Sequence, residues 1–234
     1  MKNKVCILTG AGGGIGSKIA ETLFEMGFKL VLLGRNKEKL QKTANGRDCL
    51  ILPGDICDDE YIKETVKKAA ETYGGIDLLI NNAGIAQSKP FSEISMEEYD
   101  LIMRTNARAP FLLCQTALPY LKASGSGTVI NIASVTAHHG YALQSAYAAS
   151  KHALIGFSKS LSKECYQMGV RVHVISPGAV FTDMVRISRP DLTGEGMLLP
   201  EDIAETVRYL IKMRQSASVA DEIQLHRESK EPFM

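Results

Sequence analysis

Apolar residues gather along this chain in short runs rich in Val, Ile and Leu, at residues 5–9, 30–33, 49–52, 77–80, 128–133 and 170–175. Runs of that length, bounded by glycine and polar residues, are those of strands buried on both faces. Between them, residues 15–26, 58–73, 96–121 and 146–168 are amphipathic stretches long enough for crossover helices. A weaker last pair, a helix over 200–213 and a strand over 222–226, ends the series. Strands alternating with helices predict an α/β fold, a doubly wound parallel sheet of about seven strands with helices on both faces and right-handed crossovers.

No Pro- or Ser-rich linker and no internal repeat divides the chain, so residues 1–234 are read as a single dinucleotide-binding and catalytic domain. Residues 182–199 differ in texture, carrying Pro190, Gly194, Gly196 and several charges without a clean period. They are predicted to form a short lid loop at the carboxyl end of a strand, where open α/β sheets bind ligands.

Charge changes the picture by exclusion. Lys and Arg number 27 against 26 Asp and Glu, with no dense basic run, so nucleic acid is not an expected partner and a small molecule is. No stretch of about 18 apolar residues suggests a membrane span. The five cysteines, Cys6, Cys49, Cys57, Cys114 and Cys165, are scattered and never in Cys-x-x-Cys spacing, which argues against disulfides and metal and fits a reducing cytoplasm.

Candidate chemistry begins directly after the first strand, at Thr9-Gly10-Ala11-Gly12-Gly13-Gly14-Ile15-Gly16. Glycines let a chain turn sharply and approach a pyrophosphate, and the helix that follows offers free amides and its positive dipole end. The spacing is Gly10-x-x-x-Gly14-x-Gly16; no G-x-G-x-x-G fits. After the second strand stands Gly34-Arg35-Asn36, where an acidic residue would hold a ribose 2′-hydroxyl. A small residue followed by Arg favours NADP(H) over NAD(H), unless Arg35 is only a solvated arginine or stacks on adenine.

Ala146-Tyr147-Ala148-Ala149-Ser150-Lys151 opens a helix, and a spacing of four puts Tyr147 and Lys151 on one face. A nearby cation favours phenolate, which moves a tyrosine toward use as an acid or base near neutrality. Ser134 ends the strand run thirteen residues upstream and is suited to donate to a carbonyl oxygen.

With these residues assembled, the chain resembles the short-chain dehydrogenase/reductase family, single-domain Rossmann branch, nearly end to end. The resemblance is carried by Thr9 to Gly16, Asp55, Asn81-Asn82-Ala83-Gly84, Asn106, Ser134, Tyr147, Lys151, Pro177-Gly178 and Thr182. It implies catalytic roles for Asn106, Ser134, Tyr147 and Lys151. Tyr147 is then the general acid or base, Ser134 the donor to the substrate oxygen, Lys151 the tuner and ribose clamp, and Asn106 the holder of a relay water. It implies cofactor contacts at Gly10, Gly14, Ile15, Gly16, Arg35, Asp55, Asn82, Gly84, Tyr147, Lys151, Pro177, Gly178 and Thr182. The alternatives are that Asp55 caps the helix near Asp58 and that Asn82 only braces the turn.

The implied function is hydride transfer between nicotinamide and a carbonyl or alcohol. Alternatives are a 3-oxoacyl thioester (acyl carrier protein) reductase and, from another class, a catalytically silent NADP(H)-sensing protein. Pocket candidates are Ile85, Ala86, Val135, His138, Tyr141, Gln144, Met184 and Val185. His138-His139 has no acidic or cysteine neighbour in sequence, so it is read as loop polarity and no metal is expected. The resemblance also implies a homodimer or homotetramer through the two long helices, with Cys114, Leu118, Leu121, Leu154, Phe157 and Leu161 either in the interface or inside the monomer.

Overall fold

Each short apolar run becomes a strand because both of its faces are covered. The computed structural model describes residues 3–188 and 193–228. The strands are β1 (Val5–Thr9), β2 (Lys29–Gly34), β3 (Leu50–Pro53), β4 (Leu78–Asn81), β5 (Thr128–Ile132), β6 (Arg171–Pro177) and β7 (Glu222–Leu225). They form one parallel sheet in the order β3-β2-β1-β4-β5-β6-β7. The helices are α1 (Gly14–Glu25), α2 (Lys37–Ala44), α3 (Asp59–Tyr73), α4 (Met96–Met103), α5 (Ala109–Ala123), α6 (Ser145–Cys165), α7 (Asp183–Ser188) and α8 (Pro200–Met213).

Alternation along β1 shows how the sheet is filled. Cys6 and Leu8 pack with Ile19 and Leu23 of α1 and Val207 and Leu210 of α8. Val5 and Ile7 face the other way, toward Ile62 and Val66 of α3 and Leu113 and Ala117 of α5. A strand with two dry faces has no polar side to show, which is why the apolar runs are continuous. Helices on both faces around a parallel sheet make this the Rossmann-type doubly wound fold expected from the sequence. Among the described residues, no helix is long and apolar enough to cross a membrane.

Four local features depart from the sequence reading. Helix α2 was not foreseen: it is eight residues long and buries only Leu40 and Ala44, too little for a helical period to register. It starts because Asn36 accepts from the Lys39 amide at 2.9 Å. The stretch 96–121 is two helices, since a π turn at Arg104–Arg108 separates α4 from α5 and buries Thr105, Asn106 and Ala107. Strand β6 extends past 175 to Pro177, where the Gly178 amide donates to the Leu225 carbonyl at 2.7 Å. Finally, the predicted lid loop contains α7. Its return is stitched to the end of β6, with Phe181 N donating to Leu198 O at 2.8 Å and Leu198 N to Ala179 O at 3.1 Å. Residues 189–192 of that lid lie outside the described residues.

Candidate active site

The strand order reverses direction between β1 and β4, and a crevice opens there at the carboxyl ends of the strands. The glycine turn occupies it. Gly10 has φ +64°, and a Cβ there would stand 2.8 Å from Ala83 Cα and 2.9 Å from Asn82 Nδ2. Gly13 N donates to Gly10 O at 3.1 Å, closing the turn. Gly16 lies so close that a Cβ would drive into the Gly10 carbonyl oxygen. Helix α1 then begins behind Gly13 with no side-chain cap, leaving its first amides to face the crevice.

Thr9 and Asn82 hold this turn rigid. Thr9 Oγ1 accepts from the Asn82 and Ala83 amides, each at 3.0 Å. The Asn82 side-chain amide donates to Thr9 O at 3.0 Å and Gly10 O at 3.2 Å. Asn82 is therefore a brace of the turn as well as part of the crevice wall.

A groove of about 380 Å³ runs along the turn, and its wall includes the predicted Gly10, Gly14, Ile15, Gly16, Arg35, Asp55, Asn82, Gly84 and Thr182. Pro177 and Gly178 are not in that wall; they are tied to β7 instead. Arg35 is exposed, and among the described residues no ion-pair or hydrogen-bond partner engages it. Lys39, which sequence reading missed, lines the groove beside it and packs its stem against Gly12. Gly34 is small for a reason other than ligand room: a Cβ there would stand 3.2 Å from Leu40 Cδ2. Asp55 does not cap α3. Asp58 does, accepting from Glu60 N at 3.0 Å, while Asp55 Oδ1 accepts from Cys57 N at 2.9 Å and the residue stays exposed.

The proton-handling groups meet at the carboxyl end of β5. Lys151 is buried, and its Nζ donates to Ile132 O at 2.8 Å while lying 5.7 Å from the centroid of the Tyr147 ring. Burial pulls this ammonium down from 10.5 to about 8. Burial also pushes the half-buried Tyr147 phenol above its ordinary value, and interaction with the Ser134 hydroxyl draws it partly back. The spacing of Tyr147 and Lys151 had suggested a phenol lowered by its lysine; in this structure desolvation of the phenol prevails. Ser134 is buried and accepts from Thr136 N at 3.2 Å, so its own proton is free to be donated.

Asn106 reaches the same place through the π turn. Its Oδ1 accepts from Ile85 N at 2.9 Å, and its Nδ2 donates to Ile85 O at 2.8 Å and Ser150 Oγ at 3.0 Å. Gly84 joins the groove to this cluster: a Cβ there would lie 3.3 Å from Asn106 Oδ1 and 3.7 Å from Lys151 Nζ.

Of the pocket candidates, Ile85, Ala86, Val135, Gln144 and Val185 are part-exposed and Tyr141 is exposed, whereas the Met184 side chain lies outside the described residues. His138 has an acidic partner after all. Its Nε2 lies 2.6 Å from Glu222 Oε1, which also accepts from Ser176 Oγ at 2.7 Å. The partner comes from β7, 84 residues away, which no local sequence window contains. Among the described residues, no cluster of His, Cys, Asp and Glu is arranged to hold a metal. On the long helices, Cys114, Leu121 and Leu154 are buried within the monomer, and Leu118, Phe157 and Leu161 pack partly against its core. Phe111 is exposed, with its ring 5.5 Å from that of Phe157.

Residues 4–193 match the family model described as short chain dehydrogenase. An uncharacterized oxidoreductase of Staphylococcus aureus strain USA300 is 38% identical over 222 residues, spanning 94% of this chain and 95% of that protein. Levodione reductase superposes with a TM-score of 0.88 at 29% identity, over 96% of both chains. An alcohol dehydrogenase from the archaeon Thermococcus sibiricus, complexed with 5-hydroxy-NADP, superposes with a TM-score of 0.90 at 28% identity, over 99% of both chains.

Proposed function

Because the chain belongs to the short-chain dehydrogenase/reductase family of oxidoreductases, we propose that it interconverts a small-molecule carbonyl and its alcohol with NADP(H), Tyr147 moving the proton. The observation that carries this reading is the convergence of Ser134, Tyr147 and Lys151 at the end of β5, one glycine away from a groove that a Cβ would obstruct. Those glycines, the uncapped start of α1 and the cationic rim at Arg35 and Lys39 fit a dinucleotide. Bound nicotinamide supplies or accepts the hydride.

The chain's own side chains handle the oxygen and the proton. In reduction the Tyr147 phenol gives its proton to the substrate oxygen, and Ser134 donates a hydrogen bond to that same oxygen as charge develops on it. In oxidation both steps reverse. Lys151 spends one N–H on Ile132 and keeps two for ribose hydroxyls beside the phenol. Asn106 belongs to the proton path to solvent, as the holder of a water beside Lys151; in support, its buried side chain meets the same Gly84 that Lys151 meets. Asp55, Asn82 and Thr182 contact the cofactor from the groove wall, and Pro177 and Gly178, outside that wall, reach it from the end of β6.

We assign the preference for NADP(H) to Arg35, whose guanidinium has no partner among the described residues, with Lys39 adding charge. Residues 182–199 serve as the lid of a single 1–234 domain, and the free thiols fit a cytoplasmic setting. A second copy of the chain docks on the α5 and α6 face, where Phe111 and Phe157 border a groove of about 770 Å³. The test is loss of NADPH and NADH absorbance across ketones, levodione and other diketones, aldehydes and 3-oxoacyl thioesters, with Tyr147→Phe alongside. Turnover that prefers NADPH and vanishes in the variant is expected; tight cofactor binding with no turnover would favour a silent sensor.

A further inference from the structure

Helix α6 starts without a cap of its own. The amides of Ser145, Ala146 and Tyr147 have no partner within the helix, Ala148 N being the first to bond back, to Gln144 O at 2.7 Å. The Gln144 side chain makes no capping bond. The acceptor arrives from elsewhere: Gln87 Oε1 takes the Tyr147 amide at 3.1 Å, across 60 residues of sequence. That amide, the third of the helix, is the one an N-cap side chain ordinarily satisfies.

The same glutamine fixes the chain entering the helix. Gln87 Nε2 donates to Leu143 O at 2.9 Å, and Lys89 N donates to the same oxygen at 3.0 Å. Leu143 has φ +66°, a left-handed conformation that an L side chain resists because its Cβ crowds the backbone. Two donors on its carbonyl hold it there. On the far side, Tyr147 O accepts from Ser150 Oγ at 2.7 Å, Ser150 from Asn106, and Asn106 grips Ile85 through both N–H and C=O. The amide and the carbonyl of Tyr147 are thus both referred to one segment, residues 85–87.

We infer that Gln87 is a positioning residue that caps α6 from outside the helix and so sets where the Tyr147 phenol stands. The inference rests on the proposed proton-transfer role of Tyr147. Losing the cap leaves a helix-end donor unsatisfied and frees the left-handed turn before it, and small displacements of a reacting group reduce rate far more than they reduce ligand binding.

The test compares Gln87→Leu, which removes acceptor and donor, with Gln87→Glu, which keeps the acceptor. Four readouts on the full chain are needed: hydrogen exchange at the Tyr147 amide, thermal midpoint, NADPH affinity, and kcat and KM on whichever carbonyl of the panel above is turned over. In Gln87→Leu, Tyr147 exchange is expected to quicken at least about tenfold, and kcat to fall about 10- to 100-fold with NADPH affinity held within about twofold. Gln87→Glu is expected to restore amide protection and most of kcat. Unchanged exchange at Tyr147, or activity lost only in step with the unfolded fraction, would overturn the inference. Should the wild type turn over nothing, the proposed chemistry fails, and the exchange measurement alone still decides whether Gln87 holds Tyr147.

Discussion

The Lys151 ammonium donates to the Ile132 carbonyl oxygen at 2.8 Å from a residue only 4% exposed. Burial there lowers its pKa from 10.5 to about 8. Between those values the unfolded chain binds more protons than the folded one, so this group makes stability rise with pH, by up to about 3 kcal/mol across the whole window. Lys151→Met is expected to abolish that rise while adding a pH-independent loss from the unpaired Ile132 carbonyl. Urea unfolding of both proteins between pH 8 and pH 10 measures the two slopes. Equal slopes would mean that the lysine is not desolvated.

The neighbouring phenol carries the opposite sign. Burial pushes Tyr147 above its ordinary value, so it remains protonated through the neutral range and is ready as a donor. Carbonyl reduction is expected to hold level toward alkaline pH, whereas alcohol oxidation, which needs phenolate, climbs with pH. The Ser134 hydroxyl is what lowers this phenol. Ser134→Ala should therefore move the rising limb of oxidation to higher pH, besides reducing kcat about 100-fold through the lost donor. A limb that stays in place in pH–rate profiles would separate Ser134 from the phenol.

How much of this was legible in the sequence follows from the reach of each signal. The strands were legible because two dry faces leave continuous apolar runs, and the glycine turn because its residues are contiguous. Tyr147 and Lys151 were legible because one helical turn separates them. What escaped depends on distant partners. Glu222 meets His138, and Gln87 caps α6, through contacts that only the folded sheet creates. The π turn, which buries the successive residues Thr105, Asn106 and Ala107, also escaped, since its one added residue is a matter of backbone hydrogen bonding inside a stretch of helical length. The burial that raises the Tyr147 phenol escaped for a related reason: helical spacing reports a neighbouring charge, not the desolvation that opposes it.

Two glycines of the turn separate folding from binding. A Cβ on Gly16 would collide with the Gly10 carbonyl and stand 2.8 Å from Asn82 Nδ2, both rigidly held. Gly16→Ala is expected to destabilise the protein by roughly 1–3 kcal/mol, as overpacking does, and to abolish cofactor binding. At Gly13, φ is −89° and a Cβ would sit 3.5 Å from Gly10 O, an ordinary contact. Gly13→Ala should leave the melting temperature nearly unchanged while weakening NADPH, because the added methyl group enters the groove. Thermal melts and fluorescence titrations of both variants would show it; equal loss of stability in the two would refute the distinction.

Arg35 and Lys39 bear on which dinucleotide is held. Both line the groove at the end of β2, on the loop and first turn that Asn36 ties together by accepting from the Lys39 amide. A guanidinium paired with a 2′-phosphate makes charge-assisted hydrogen bonds, each contributing about 1.5–3 kcal/mol. Arg35→Ala is therefore expected to weaken NADPH by about 10- to 100-fold and NADH hardly at all, with Lys39→Ala giving a smaller loss of the same selectivity. Raising the salt concentration should erode NADPH binding in the wild type and much less in the double variant, since screening acts only on the phosphate contact. Dissociation constants for both dinucleotides in all four proteins provide the measurement. If Arg35→Ala weakens NADPH and NADH equally, the arginine lies against the adenine that both share, and the preference must be sought elsewhere on the groove wall.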